Sequence, residues 1–277
     1  MTTDNSGSLP YRYWVYQHGQ AEVQDGGVIQ EAVVSVYVNG QELATVMCSP
    51  LDEEALALGF LYNEGLIDSL DDVGLVQANV SRAVVDVVLR RGDFRPSRRM
   101  ILTAGCGIGV TFQQITTDYP ALETPFATTP QVILDRMRDL NSNARLYRLV
   151  RGVHTAVLAN TERVLLTAED VGRHNTIDKI AGKALLAGID PRDHLLLTSG
   201  RISSEMLMKA RRMSIPIVGS RTAPTSTSVR LAKAWNICIV GYIRQGSLRV
   251  YTAPERLGLP PLEDGVVGML QEKASGG

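Results

Sequence analysis

The side chain best suited to covalent chemistry in this sequence is Cys106. Glycines flank it on both sides in the segment 103–109, and Arg95, Arg98 and Arg99 precede it. Glycine lets a partner approach the sulfur closely, and nearby positive charge favours the thiolate, which is the nucleophilic form. The alternative is a cysteine that only fills space in a Gly-rich turn, because free cysteine is among the most buried residue types. The pattern favours a reactive thiol.

The other two cysteines are predicted to be packing residues. Cys48 follows a strand, and Cys238 lies inside the apolar run Ile237–Val240. No two cysteines have the separation typical of a structural zinc site or a dithiol centre, and the four histidines show no His-x-x-x-His spacing. We therefore expect no metal site and no tightly bound zinc. Three cysteines are also too few for a disulfide-rich secreted scaffold, which favours a reducing cytosol.

A second candidate is the polar run from Asp170 to Asn175, which connects a predicted strand to a predicted helix. The free N–H groups of a helix N-terminus attract anions, and Arg173 and His174 lie at that point. The alternative is a simple capped helix start in which His174 and Asp178 pair one turn apart. We favour an anion-binding role for Arg173 and His174.

Three further turns carry hydroxyl groups and arginines. Their sequences are Ser199-Gly200-Arg201, Ser220-Arg221-Thr222 and Tyr242-Ile243-Arg244-Gln245-Gly246-Ser247. Such residues suit phosphate or carboxylate recognition, although a serine here can simply cap a helix. The P-loop and dinucleotide-binding spacings are absent, which disfavours ordinary nucleoside triphosphatases and Rossmann domains. Because ligands of open α/β sheets bind beyond the carboxyl ends of strands, these turns are predicted to line one crevice.

Hydrophobic periodicity predicts the elements that hold these turns. Asn39-Gly40 between two apolar runs predicts a hairpin, and a helix from Pro50 to Gly65 and another strand pair follow. Beyond a helix that starts near Val132, strands at 155–159, 164–167, 194–198, 216–219, 237–242 and 248–251 alternate with helices at 174–187, 203–213 and 226–235. This alternation predicts a mixed sheet covered on both faces, in an α+β protein.

The length and the loss of periodicity between residues 92 and 130 predict two domains. We divide the chain into a flexible N-terminal arm (1–27), an N-terminal α+β domain (28–129) with the cysteine loop near its end, and a C-terminal α/β domain (130–277). The arm is polar and Gly-rich, and the tail from Pro260 is predicted to be irregular.

Composition narrows the classes of function. The chain has 277 residues, 44% apolar and 21% charged, which is typical of soluble globular proteins. A net charge of −1 disfavours general binding to nucleic acid or acidic membranes. The first residues lack the charged and then apolar pattern of an export signal, and no apolar run is long enough to span a bilayer, so we expect neither export nor membrane anchoring. Residues 201–249 hold nine basic side chains against one acidic one, which suits an anionic ligand. Arg211, Arg212 and Lys233 are expected only to solvate helix faces.

A series of short motifs resembles one family both in amino-acid sequence and in order along the chain. The motifs are Val38-Asn39-Gly40, Met47-Cys48-Ser49-Pro50, Leu58-Gly59-Phe60-Leu61 with Glu64-Gly65, Gly105-Cys106-Gly107, Gly152-Val153-His154, the run from Asp170 to Asn175, Ser199-Gly200-Arg201, Ala223-Pro224-Thr225 and Val250-Tyr251-Thr252. From about residue 30 to 256 they resemble the FdhD/NarQ family, the formate dehydrogenase accessory sulfurtransferases.

This resemblance implies a cytoplasmic sulfur carrier that acts as a sulfurtransferase. It implies that the protein takes persulfide sulfur from a cysteine desulfurase and transfers it to the molybdenum bis(molybdopterin guanine dinucleotide) cofactor of formate dehydrogenase. It also implies a homodimer and a C-terminal domain similar to the cytidine deaminase fold, here without that fold's zinc signature. Carried over by motif, Cys106 bears the persulfide and the segment from Tyr242 to Ser247 binds the cofactor. Arg173, His174, Ser199, Gly200 and Arg201 are our additional candidates for holding its phosphates.

One position departs from the family pattern. Many members carry Cys-x-x-Cys in this loop, whereas Gly109 occupies the fourth position here. The simpler hypothesis is therefore a single-cysteine carrier. Two rivals stay open, namely a non-catalytic chaperone that only binds the cofactor and a deaminase-like hydrolase, which a zinc analysis would detect.

Overall fold

The structure, a computed structural model, describes residues 7–92, 100–102 and 119–261. Its strands are β1 (Ser8–Gln17), β2 (Gln20–Ile29), β3 (Ala32–Val38), β4 (Gln41–Cys48), β5 (Val73–Asn79), β6 (Val84–Leu89), β7 (Met100–Leu102), β8 (His154–Ala159), β9 (Val164–Asp170), β10 (Leu195–Thr198), β11 (Ile217–Ser220), β12 (Cys238–Arg244) and β13 (Ser247–Val250). Its α-helices are α1 (Glu53–Asn63), α2 (Pro130–Asn143), α3 (Arg145–Val150), α4 (Arg173–Ala187), α5 (Ser204–Arg212) and α6 (Ser226–Trp235). The α+β class is confirmed.

The N-terminal sheet has the strand order β5-β6-β3-β4-β7. The predicted β3–β4 hairpin turns at Asn39 and Gly40, whose φ angles of 50° and 77° are those a two-residue hairpin turn requires. Helix α1 covers one face of this sheet with Leu56, Leu58 and Leu61. Helix α1 itself carries buried apolar residues around most of its circumference, because the side that faces away from the sheet packs against α4.

The C-terminal sheet has the strand order β13-β12-β11-β10-β8-β9, with β10, β11 and β12 parallel. Helix α2 packs on one face, and α4, α5 and α6 pack on the other. The predicted mixed sheet with both faces covered is therefore confirmed. The likeness to the cytidine deaminase fold and the domain boundaries stay predictions.

Helices α1 and α4 cross at two glycines, and this crossing joins the two parts of the molecule. A Cβ atom on Gly59 would lie 1.7 Å from the carbonyl oxygen of Asp178. A Cβ atom on Gly182 would lie 1.9 Å from the carbonyl oxygen of Ala55. Each helix backbone therefore occupies the space that a side chain of the other would need. Only glycine at both positions permits this close approach.

The N-terminal segment, predicted as a flexible arm over residues 1–27, contains regular secondary structure. Residues 8–29 form a two-stranded antiparallel hairpin that turns at His18 and Gly19. The side chains of Trp14 and Tyr16 are 70% and 75% exposed. Because aromatic residues are exposed on both faces of this ribbon, the sequence lacks the apolar and polar alternation that marks a half-buried strand. That absence explains why the strands were not predicted.

The prediction that Arg211 and Arg212 only solvate a helix face was also wrong. The Arg212 guanidinium donates hydrogen bonds to the carbonyl oxygen of Tyr62 (3.0 Å), in the last turn of α1, and to that of Ile67 (3.1 Å), beyond the end of α1. Arg211 donates to the carbonyl oxygen of Pro120 at 2.7 Å. Both arginines thus hold neighbouring segments, because their long side chains reach backbone carbonyl oxygens outside α5. Within the described residues, no helix is long and apolar enough to cross a membrane.

Candidate functional site

One edge of the C-terminal sheet collects most of the predicted site residues. The carboxyl ends of β9, β10, β11 and β12 meet there with the amino end of β8, because β8 runs antiparallel to its neighbours. A cavity of about 320 Å³ opens between this edge and the end of α2. Its lining residues are Leu140, Asn141, Ala144, Tyr147, Val153, His154, Thr155, Ser199, Arg221, Thr222 and Arg244. The three turns predicted to share a crevice each contribute to it.

Ser199 is held by the neighbouring strand β8. The backbone N–H of Thr155 donates to the Ser199 Oγ at 3.0 Å, and the Nδ1 atom of His154 lies 3.4 Å from the same oxygen. Burial lowers the pKa of His154, and the positive charge of Arg173 lowers it further. His154 is therefore neutral at neutral pH. The sequence places His154 in a motif, but it was not among the residues predicted to bind the cofactor.

Gly200 lets Arg173 approach the turn after β10. A Cβ atom on Gly200 would lie 2.9 Å from the Cβ of Arg173 and 3.5 Å from the Nδ1 of His154. The start of α4 thereby sits against the β10 turn, which brings Arg173 near the cavity. Arg201, the next predicted residue, is exposed and does not line the cavity.

His174 faces the start of α5 rather than the cavity. Its Nε2 atom lies 3.2 Å from the Ser203 Oγ and 3.2 Å from a carboxylate oxygen of Glu205. Burial, and then the charges of Lys209 and Arg173, lower the pKa of His174 to about 3. The ring is therefore neutral, and an Nε2–H group donates to Glu205 or Ser203 at neutral pH. A His174–Asp178 pair, the alternative considered from the sequence, is not formed, because Asp178 binds Lys209 and Asn63 instead.

The segment from Tyr242 to Ser247 is the tight turn between β12 and β13. Gln245 and Gly246 turn the chain with φ angles of 51° and 74°, and both are exposed together with Ser247. The guanidinium carbons of Arg244 and Arg249 lie 5.4 Å and 4.1 Å from the centre of the Tyr242 ring. Cation–π contacts of this kind orient the arginines at the turn.

Ile243 has a different environment from the rest of that segment. Its side chain is 1% exposed and belongs to the hydrophobic core below the sheet. It therefore offers no side chain to a ligand at the cavity. Of the six residues in the turn, Arg244 alone is among the residues that line the cavity.

Asp170 and Asn175 hold the two sheets together. The Asp170 carboxylate accepts hydrogen bonds from Lys179 Nζ (2.6 Å) and from the backbone N–H of Ser49 (3.0 Å). Its other oxygen accepts from the N–H of Gly172 (2.7 Å) and from Asn175 Nδ2 (2.8 Å). This part of the Asp170–Asn175 run is an internal joint. The sequence places Lys179 just beyond this run and Ser49 in one of the quoted motifs, but neither pattern predicts a role in this joint.

Cys106 and Gly109 lie outside the described residues. The strand before them, β7, pairs in parallel with β4, and Leu102 lies opposite Val46. The next residue of β4, Met47, accepts a hydrogen bond from Asn175 Nδ2 at 2.9 Å. The end of β7 at Leu102 therefore lies close to the start of α4. Four residues span at most about 14 Å, which limits the distance between the Cα atoms of Leu102 and Cys106.

Cys48 and Cys238 are packing residues, as predicted. Both side chains are fully buried, and burial raises the pKa of each thiol to about 12. Neither thiol is a nucleophile in the folded protein. Among the described residues, no three His, Cys, Asp or Glu side chains form a metal-binding group. The expected absence of zinc stays a prediction.

The family model of FdhD/NarQ matches residues 29–258 of the chain. The chain belongs to the FdhD/NarQ family. A relative in Bacillus subtilis (strain 168), named sulfur carrier protein FdhD, is 34% identical over 249 residues, which cover 88% of this chain and 95% of that protein. Another protein of that name, in Staphylococcus aureus (strain MRSA252), is 35% identical over 248 residues, covering 87% of this chain and 93% of the relative.

The fold agrees with a solved structure. A crystal structure from Desulfotalea psychrophila, named as a formate dehydrogenase accessory protein, has a TM-score of 0.76 and 26% sequence identity. The match covers 90% of this chain and 99% of the other. The FdhD/NarQ match includes every residue that lines the cavity, but it begins at the last residue of the β1–β2 hairpin. The hairpin therefore lies almost entirely outside the part that the family model covers.

Proposed function

We propose that this protein is a cytoplasmic sulfur carrier for the maturation of formate dehydrogenase. It takes persulfide sulfur from a cysteine desulfurase on Cys106 and transfers it to the molybdenum bis(molybdopterin guanine dinucleotide) cofactor. The observation that carries this proposal is the family match over residues 29–258, together with relatives that are named sulfur carrier protein FdhD over nearly their full length.

The loading step needs only one thiol. The Cys106 thiolate attacks the outer sulfur of the donor's persulfide and forms a new S–S bond. The S–S bond of the donor breaks at the same time, and the donor cysteine leaves as a thiolate. That thiolate takes up a proton, which replaces the one that Cys106 lost when it became the attacking thiolate. Because one S–S bond replaces another, no external oxidant or reductant is consumed. Gly109 in place of a second cysteine does not prevent this step.

Release of the sulfur as sulfide consumes two electrons. A second loop cysteine could supply them by forming a disulfide with Cys106, but Gly109 has no thiol. In this protein an external thiol supplies them instead. Its thiolate attacks the inner sulfur, a mixed disulfide with Cys106 forms, and hydrosulfide leaves as the acceptor's new ligand. Another thiol then restores Cys106.

The cavity at the sheet edge is suited to the anionic end of the cofactor. Arg221 and Arg244 can form charge-assisted hydrogen bonds to phosphate, and the hydroxyls of Ser199 and Thr222 add further donors. A volume of about 320 Å³ admits one nucleotide-sized group rather than the whole cofactor. We propose Ser199, Arg221 and Arg244 as the side chains that hold it.

The loading test is a mass measurement. The protein is incubated with a desulfurase and cysteine, and the intact mass is recorded before and after treatment with a reductant. We expect one reducible sulfur atom on the wild type and none on Cys106→Ala. Cys48→Ala and Cys238→Ala are matched controls that gain sulfur like the wild type, because both thiols are buried. Equal loading of Cys106→Ala would show that the site assignment is wrong.

Complementation separates the carrier from the cofactor chaperone. In a strain that lacks this gene, we expect wild-type protein but not Cys106→Ala to restore formate dehydrogenase activity. Restoration by Cys106→Ala would support the chaperone.

The proposal also includes a homodimer, and light scattering on the purified full chain measures its mass directly. A monomer at all concentrations would remove the dimer from the proposal without affecting the sulfur chemistry.

A further inference from the structure

Four hydrogen bonds, two of them fully buried, join the end of β4 and the following Ser49 to α4 and to the residues just before it. Asn175 Nδ2 donates to the carbonyl oxygen of Met47 at 2.9 Å, and the N–H of Ser49 donates to Asp170 at 3.0 Å. The N–H of Val171 donates to the Ser49 Oγ at 3.1 Å, and Lys179 Nζ donates to the Ser49 carbonyl oxygen at 3.1 Å. These bonds connect two elements that are more than 120 residues apart in sequence.

The same joint sets the position of β7. Strand β7 is held by its backbone ladder to β4, in the register Ala44–Met100, Thr45–Ile101 and Val46–Leu102. A ladder of backbone hydrogen bonds transmits the position of one strand to the next. On the other side of the joint, α4 begins at Arg173, which packs against Gly200 at the edge of the cavity. The joint therefore fixes the end of β7 relative to the cavity.

We propose that Asn175 is a positioning residue for sulfur delivery, because it ties the strand pair that leads to Cys106 to the helix that borders the cavity. This inference rests on the proposed function. Its two amide hydrogens have two acceptors, the Met47 carbonyl oxygen and the Asp170 carboxylate. Asn175 is 7% exposed, and a Cβ atom on Gly172 would lie 2.8 Å from its Nδ2 atom. The amide group is thus closely enclosed.

Asn63 offers a matched control at the same interface. It is also a buried asparagine, 5% exposed, and its Nδ2 atom donates to Asp178 of α4 at 2.7 Å. It lies at the far end of α1 and is not hydrogen bonded to β4. Loss of either side chain removes hydrogen bonds between α4 and the N-terminal part of the molecule. Only the loss of Asn175 also removes a hydrogen bond that holds the end of β4.

The experiment compares loading with delivery in Asn175→Ala and Asn63→Ala. Loading is measured by intact mass, and delivery is measured as formate dehydrogenase activity after the loaded protein is mixed with unsulfurated enzyme. We expect both variants to have lowered thermal midpoints and to load within about twofold of the wild type, since loading involves only the Cys106 thiol and the donor. We expect delivery to fall about tenfold or more for Asn175→Ala and to stay within about twofold for Asn63→Ala, since misplacement of a reacting group carries large rate costs.

A distance measurement provides a readout that is independent of sulfur chemistry. Spin labels are placed on Cys106 and on the exposed Glu162→Cys, while the buried Cys48 and Cys238 stay unlabelled. We expect a broader distance distribution in Asn175→Ala than in the wild type or in Asn63→Ala. Ser49→Ala, which removes only the bond from Val171, provides a milder second variant if Asn175→Ala does not fold.

The outcomes separate the two proposals. If the wild type takes up no sulfur, the proposed function fails, and the label distances still decide whether Asn175 positions the segment. If the wild type loads and delivers but Asn175→Ala and Asn63→Ala behave alike in delivery and in label distance, the positioning role is wrong.

Discussion

Lys179 donates a hydrogen bond to Asp170 with an Nζ–Oδ2 distance of 2.6 Å, and neither side chain has any exposed surface. The pair lies where the end of β4 meets the turn between β9 and α4. Because every oxygen of the Asp170 carboxylate is hydrogen bonded, the buried charge is both paired and satisfied. The polar run that leads into α4 therefore stabilises the fold through internal hydrogen bonds, in addition to any groups that it offers to a ligand.

Replacing Lys179 by methionine should destabilise the protein by about 3–5 kcal/mol, because it leaves the Asp170 carboxylate buried without a counter-charge. Urea unfolding of the wild type and of Lys179→Met measures the change. Lys183→Met is the control, since Lys183 and its partner Asp52 are both partly exposed and such pairs contribute about 1 kcal/mol or less. A loss below about 1 kcal/mol for Lys179→Met would contradict the buried pair.

The helix crossing predicts a large effect for a single methyl group. Alanine has a higher helix propensity than glycine by about 1 kcal/mol, so Gly182→Ala would stabilise an isolated α4. In the folded protein its Cβ would lie 1.9 Å from the Ala55 carbonyl oxygen, so the helices must separate. We expect a net destabilisation of about 2–3 kcal/mol in chemical unfolding. Gly92→Ala, with no atom within 4 Å of the added carbon, should stay within about 0.5 kcal/mol.

The lowered pKa of His174 predicts that the folded protein loses stability in acid. Its pKa in the folded protein is lowered to about 3 by burial and neighbouring positive charges, whereas the unfolded chain titrates near 6.5. Between these values the unfolded state binds the extra proton, so this contribution is present above pH 6.5 and decreases as the pH falls towards 3. The slope is at most about 1.4 kcal/mol per pH unit.

The measurement is urea unfolding at pH 7 and pH 5 for the wild type and His174→Gln, which keeps a neutral donor near Glu205. We expect the wild type to lose about 2 kcal/mol more than His174→Gln over this interval. Equal losses would mean that His174 is protonated in the folded protein.

The cavity predicts which arginines bind an anionic ligand. Arg221→Ala and Arg244→Ala should each weaken the binding of guanosine diphosphate, a fragment of the cofactor, by about tenfold, since a hydrogen bond between charged groups contributes about 1.5–3 kcal/mol. Titration calorimetry at one fixed salt concentration measures the affinity. Arg230→Ala removes an exposed arginine of α6 that does not line the cavity and should bind like the wild type. Equal weakening in all three variants would indicate only a general charge effect.

Local sequence was sufficient for most of the elements. The Asn39-Gly40 turn, helix α1 and the alternation of strands and helices after residue 130 were predicted correctly, because turn chemistry and hydrophobic periodicity are properties of neighbouring residues. The burial of Cys48 and Cys238 was predicted for the same reason. The β1–β2 hairpin was missed because its exposed aromatic residues give no periodic signal.

The sequence by itself determined the family, the class of fold and the residue types that could carry sulfur or bind phosphate. Tertiary structure alone decided which of those residues share a site. Ser199, Arg221 and Arg244 come from separate turns and meet at one cavity because their strands end at the same sheet edge. Asp170 and Asn175, from the same local motif as Arg173, instead bind Ser49 and Met47 more than 120 residues away. A local pattern shows what a side chain can do, but long-range packing chooses its partner.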